Sequence, residues 1–396
     1  MSALDNPKQV PPVASQSRFR RTLKPFLGPS YRAIRRQLRF LRWISETSRF
    51  LSRKSDERRL LVVYDLSANP YSIGDVLVVV EASMALREIH GVGQVDFAFV
   101  FDEKQPVRAG SSFGHITADD VFYHLASIVP TVQVNPQLGS LFVFNSHLRL
   151  EQFLADNAAI YVVWPSAWKY AQNEYLNYTA YNDVLWNHRQ KHGTIPILSS
   201  RPFLVEWANE FYSHRVHPRV PVTVQVRNNP SFGAHRNLRL DVWIEFFLRT
   251  EKAYPACFVI VCAANEIDDR LRQCRNVIVS KDYHTGIEQD LALIQTASFH
   301  MGASSGPGQM AIFGTKPYLL VNTDLEPNLY KGIVQDGAFL RFCFAGPLQR
   351  FAVGEETVEM LTTEFARMWE AVTASTELSD RRAPGKRAGE PLSWLR

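Results

Sequence analysis

The sequence predicts an α/β protein with two doubly wound halves behind a basic, partly helical N-terminal arm. Three observations predict it. Apolar strand-like runs alternate with helix-patterned stretches from residue 59 to about residue 372. A proline-punctuated stretch at 194–220 divides the series in two. Thr285 to Asn322 then reads as helix, strand, small-residue loop, helix and strand in succession.

The first half opens with the strand Leu60–Tyr64, a loop over residues 65–71, and a helix that begins near Ile73-Gly74-Asp75 and ends at Gly91. Val95–Phe101, Leu141–Phe144 and Ile160–Val163 read as further strands, with helices at Glu151–Asp156 and Tyr170–His188 between and after them. Pro196–Leu198 is strand-like. The second half starts with the alternating run Val222–Arg227, then a loop that holds Asn228, Asn229, Gly233, His235 and Arg236. Asn237 can cap a helix carrying Leu240, Ile244, Phe247 and Leu248. Cys257–Val261 and Asn276–Val279 are strands, and Thr285-Gly286-Ile287-Glu288 reads as a capping box. A last helix is expected near Glu355–Val372. The expected organisation is therefore an arm (1–58), a first domain (59–205), a second domain (215–350), a closing helix (351–376) and a flexible tail (377–396).

Composition narrows the class. The chain has 396 residues, is 46 % hydrophobic and 21 % charged, and suits two globular domains of ordinary size. Its longest apolar runs, Val76–Val80 and Cys257–Ala264, fall far short of the roughly 20 residues that span a bilayer. No apolar segment follows the N-terminus as in a secretory signal. The four cysteines show no metal-binding spacing and read as reduced core thiols, which fits a cytoplasmic protein. Residues 1–60 carry 15 Lys/Arg against 4 Asp/Glu, a net +11, whereas the remaining 29 basic and 35 acidic residues give −6. The basicity belongs to the arm, so a nucleic-acid partner is not expected. In the arm, Tyr31, Ile34, Leu38 and Leu41 recur at helical spacing among arginines. Residues 29–52 can therefore lie on an anionic membrane surface or pack on the body.

Two places carry chemistry. The first is Ala303-Ser304-Ser305-Gly306-Pro307-Gly308, where a strand hands over to a helix. Free N–H groups at such a junction hold anions, and small residues let a phosphate come close. Ser304, Ser305 and Gly306 are the candidate phosphate holders; a tight turn without ligand is the other reading. Arg227, at the end of its strand, can neutralise a diphosphate leaving group or form a structural salt bridge. Arg236 in the following loop is a second donor-binding candidate. Asp290 can accept from a base or a ribose hydroxyl, or stand as an exposed helix acid. Gln309 lies just inside the next helix, within reach of a ligand. The second place is Gly74-Asp75: Gly74 permits a sharp turn in the acceptor loop, and Asp75 can take a proton from an acceptor hydroxyl or cap its helix. The helix dipole alone would lower the pKa of Asp75. The histidines show no ligand spacing, no Asp-x-Asp metal motif occurs, and neither a Walker loop nor a GxGxxG fingerprint is present, so no metal and no cofactor are expected.

These residues resemble a family. The arrangement looks like the GT-B class of glycosyltransferases, in which two Rossmann-like domains face across a cleft and the C-terminal one holds the nucleotide-sugar donor. The segment IGDVLVVVEASMALREIHG is similar to the first loop and helix of bacterial heptosyltransferases, where the Asp after Gly serves as base. That match implies Asp75 as the base. VQVR, with DLALIQTASFHMGASSG downstream, resembles the fucosyltransferase-like branch and implies donor roles for Arg227, Asp290, Ser304 and Ser305. Gln225 stands where that branch has His, and Asn228 where many members have a second Arg. The resemblance covers roughly residues 60–345 and leaves out the arm. It implies a metal-independent, inverting glycosyltransferase acting on a glycan or lipid-linked acceptor in bacterial cell-surface polysaccharide synthesis. The basic arm, outside the resemblance, suggests a peripheral place at the inner face of the membrane. A nucleotide-sugar 2-epimerase and a non-catalytic membrane-associated protein of the same fold are the alternatives.

Overall fold

The alternating runs assemble into two sheets. The computed structural model describes residues 58–108, 111, 113–166, 176–229 and 233–382. The readings made on the arm through residue 57, on the first part of the Tyr170–His188 helix, and on the tail beyond residue 382 lie outside those residues.

The first sheet has four parallel strands in the order β3-β2-β1-β4: β1 Arg59–Asp65, β2 Gln94–Val100, β3 Leu138–Phe144 and β4 Tyr161–Trp164. β1 and β2 are continuous apolar runs because helices cover both of their faces; β3 lies at the edge and alternates between more and less exposed positions. Helix α1, Ile73–His90, follows β1; Ser72 caps its start and Gly91, in the left-handed region, ends it as expected. Helices α2 (Val121–Ile128) and α3 (His147–Asp156) come next. Leu176–Thr179, Ala180–Leu185 and Trp186–His192 continue as one helical stretch with a π-type middle.

The second sheet runs β10-β11-β12-β9-β8-β5-β6-β7. Its parallel part comprises β5 Val220–Gln225, β6 Ala256–Val261, β7 Val277–Val279, β8 Phe299–Ala303 and β9 Tyr318–Val321. The chain builds β5, β6 and β7 outward, then returns to lay β8 and β9 on the other side of β5. Strand order therefore reverses between β5 and β8, the position where open α/β sheets bind ligands. Gly302 makes that pairing possible: at φ 134° it lies so close to β5 that a Cβ would stand 2.3 Å from the Gln225 carbonyl oxygen. The remaining helices are α4 Pro202–Arg215, α5 Leu240–Ala253, α6 Ile287–Thr296, α7 Gln309–Ile312 and α8 Val358–Arg382.

The largest apolar cluster joins the two sheets. Val76, Val79 and Val80 of α1 belong to the same core as Leu291 and Ile294 of α6, and Met310 and Phe313 at α7. Each such side chain contributes on the order of 1.5–3 kcal/mol when fully buried. A second core, with Trp243, Phe246, Phe247, Phe258 and Phe365, fills the other face of the second sheet under α5 and α8.

Several local readings are corrected. Asn237 does not cap α5; its side chain bonds Asn229 N and O, and α5 starts after Arg239, whose N–H donates to the buried Glu356 carboxylate from a distant segment. The capping at α6 is shifted by one residue: the Gly286 N–H donates to Gln289 Oε1 at 2.8 Å, while Thr285 donates to Asp290 instead. Pro196–Leu198 forms no strand; the Leu198 N–H donates to the Phe313 carbonyl at 3.1 Å. An antiparallel meander, β10 Ile333–Asp336, β11 Phe339–Phe342 and β12 Gln349–Ala352, joins the sheet edge at β9 with no counterpart in the sequence reading. Among the described residues, no helix is long and apolar enough to cross a membrane.

Glu81 sits in the middle of α1 with no exposure, and neither carboxylate oxygen has a hydrogen-bond partner. Burial pushes its pKa well above the ordinary value, with Glu88 adding to the rise. The folded state thus holds a proton that the unfolded chain sheds above about pH 4.3, so this group's stabilisation is lost as pH rises toward the folded pKa. Glu81→Gln is expected to match the wild type near pH 4 and to melt higher at pH 7–8. Melting curves across that range check it; parallel pH profiles for the two proteins would contradict it.

Candidate functional site

Four strand ends of the second sheet and one helix start of the first come together. Arg227 lies two residues past β5, beyond the strand that was expected to carry it. Glu266 follows β6, Ser304-Ser305-Gly306 follow β8, and Asp324 follows β9. Facing them is the first turn of α1. A Cβ on Gly306 would stand 2.9 Å from Gly74 N and 2.9 Å from Ile73 Cβ, and a Cβ on Gly74 would stand 3.2 Å from Gly306 Cα. Gly306 is required by this close approach, and a side chain at Gly74 would be tight. Their contact is what sets Asp75 beside the 304–306 loop.

Asp75 is part-buried. Asn177 Nδ2 donates to Asp75 Oδ1 at 2.8 Å, and the Asp75 N–H makes a long 3.5 Å bond to Ser72 Oγ. The dipole argument predicted a lowered pKa, but the opposite holds. Burial raises it, and the bonds from Ser72 and Asn177, the backbone and the charge of Arg236 only partly offset that. A carboxylate so placed is a better base near neutral pH than an exposed one.

Arg227 and Arg236 form a cationic pair. One point, where a Cβ on Gly233 would stand, is 2.8 Å from Arg236 Nη2 and 3.2 Å from Arg227 Nη2. Partial burial and the neighbouring Arg236 charge lower the Arg227 pKa, while Glu266 and Asp324 pull the other way. Glu266 itself is buried and its pKa is raised by desolvation, opposed in part by Arg227. Asp324 Oδ2 lies 3.1 Å from Arg236 Nε, and its Oδ1 lies 2.5 Å from His235 Nε2.

The loop after β8 is shorter in helix than expected. Gly306–Gly308 is a 3-10 turn, and α7 adds only Gln309–Ile312, so its dipole is small. What remains are close-approach backbone and the hydroxyls of Ser304 and Ser305. Gln309 Oε1 accepts from Tyr181 Oη at 3.2 Å, which ties it to the aromatic group of Tyr181, Tyr330 and Phe342. Asp290 is not an exposed acid. It is 3 % exposed and accepts from Lys281 Nζ at 2.5 Å, Thr285 Oγ1 at 2.8 Å and Ser280 Oγ at 3.1 Å. Its carboxylate is occupied in fixing the 280–285 turn to α6.

Asn177, Glu266, Asp324 and Tyr330 were missed. Glu266 and Asp324 could have been found by the rule that found Arg227, since both follow strand ends of the same sheet. Tyr178, 47 % exposed next to Asn177, sits 6.2 Å from Tyr330. Nothing local in the sequence signals Asn177, whose partner lies 102 residues away.

No protein-family model matches this sequence, and no curated protein sequence matches it. Among solved structures, the chain is similar to ADP-heptose lipopolysaccharide heptosyltransferase II of E. coli, at 12 % identity and TM-score 0.49 over 78 % of this chain and 98 % of that one. It is also similar to a family 9 glycosyl transferase of Veillonella parvula (13 %, TM-score 0.45, 80 % and 90 %). A third is the E. coli heptosyltransferase WaaC with ADP (13 %, TM-score 0.43, 78 % and 99 %). At these scores the likeness is loose, and the reading of the site rests on its own geometry.

Because the Gly74–Gly306 contact is backbone to backbone, Gly306→Ala is expected to cost about 1–3 kcal/mol of stability. At Gly308 a Cβ would meet Leu320 at an ordinary 3.6 Å, so Gly308→Ala is expected to be near neutral. Urea unfolding of both variants checks the difference; equal costs would contradict the close approach.

Proposed function

We propose that the chain is a glycosyltransferase that moves a sugar from a nucleoside-diphosphate donor to a hydroxyl of a glycan or lipid-linked acceptor. The observation that carries this reading is the Gly74–Gly306 contact. It sets a base-competent carboxylate from one sheet against the anion-suited turn and arginine pair of the other, at the second sheet's switch point. In this reading the sheets are the cores of two Rossmann-like domains, residues 59–205 and 215–350, with 351–376 closing the fold and the donor lying in the cleft between them.

Arg227 and Arg236 neutralise the charge that builds on the diphosphate as the glycosidic bond to it breaks. The backbone and hydroxyls of Ser304, Ser305 and Gly306 hold phosphate oxygens. Asp75, oriented by Asn177, takes the proton of the acceptor hydroxyl as its oxygen attacks the anomeric carbon from the face opposite the leaving group. The result is inversion without a metal ion. The acceptor comes from a cell-surface polysaccharide pathway, with residues 29–52 resting on the anionic inner face of the membrane.

A thermal-shift screen with GDP, UDP, ADP, CDP and TDP tests donor binding. A ligand at a hundred times its Kd adds about 2.7 kcal/mol to stability. One nucleotide is expected to raise the melting temperature of the wild type and not of Arg227→Ala; no shift with any of the five would sink the reading. Asp75→Asn is expected to keep that shift while transfer falls on the order of 100- to 10,000-fold. Unchanged transfer would remove Asp75 as the base.

A further inference from the structure

Two arginines held this close repel one another unless an anion sits between or beside them. Two carboxylates, Glu266 and Asp324, stand beside this pair. The two oxygens of Asp324 contact Arg236 and His235, and its charge acts on Arg227 after that of Glu266. The Asp324 side chain is 53 % exposed, and it stands on the loop after β9, whose neighbour β8 carries the 304–306 turn. Such a carboxylate can swing into water at small cost, because exposed ion pairs are weak. A buried partner such as Glu266, at 8 % exposure, cannot.

We propose that Asp324 is a built-in competitor for the diphosphate: it holds Arg236 of the arginine pair, gives way when a nucleoside diphosphate binds, and returns to help expel the product. This depends on the diphosphate reading of the site and adds to it a residue whose role is release rather than capture. The competition lowers the apparent affinity, because only the fraction of molecules with Asp324 turned away can take the diphosphate.

The test uses pyrophosphate, which carries the relevant charge without a base, in calorimetric titrations of the full chain. Asp324→Asn keeps the shape of the side chain and removes its charge. It is expected to bind pyrophosphate about three- to tenfold tighter than the wild type, the range that an exposed ion pair can hold back. Glu326→Gln removes an equal charge from the same exposed loop and is expected to change affinity by less than about twofold. Unchanged or weaker binding by Asp324→Asn, with the wild type still binding, overturns the proposal and leaves the diphosphate site standing. An equal gain from Glu326→Gln also overturns it, since the effect would then be a general field. If neither protein binds pyrophosphate, both the competitor role and the diphosphate reading fail together.

Discussion

Two glycines meet where the first helix of one sheet touches the turn after β8 of the other, and the site exists because neither has a side chain. A methyl group on Gly306 would collide with the start of α1, and one on Gly74 would be tight against Gly306. The contact is held from behind by apolar packing, with α1 valines in the same core as Leu291, Met310 and Phe313. A backbone contact of this kind is rigid compared with one made by long side chains. It fixes where Asp75 stands relative to Ser304, Ser305 and the arginines, and in the proposed transfer a shift of an ångström there would take the base out of reach of its proton.

The electrostatics follow from that placement. Asp75 carries a raised pKa because it is desolvated, not because a like charge crowds it. Arg227 carries a lowered one because it is partly buried and has Arg236 beside it. A helix start alone would have depressed the acid, so the burial that α1 and the 176–179 turn impose outweighs the dipole. The site thus joins a carboxylate of raised pKa and a close cationic pair.

Much of the scaffold was legible because its signals are local. The apolar runs of β1, β2, β5 and β6 mark parallel strands buried on both faces, and Ser72 and Gly91 delimit α1. The Ser304–Gly306 loop and Arg227 were found by their place at strand ends. What was missed depends on contacts far apart in sequence. Asn177 reaches Asp75, and Glu356 takes the N–H that Asn237 was expected to satisfy at α5. Asp290 is a nearer miss, drawn inward by Lys281, Thr285 and Ser280 of the preceding turn. The β10–β12 meander is a different kind of miss, since Asp336-Gly337 is a hairpin signal standing in plain view between two short apolar runs.

The central claim is that one ligand touches both the 304–306 turn and the start of α1. Hydrogen exchange of the backbone amides, measured with and without the best-binding nucleoside diphosphate, tests it most directly. The account predicts slowed exchange in Ser304–Gly308 together with Ile73–Val76, since a phosphate held at that contact covers both. Protection confined to segments away from both would contradict it.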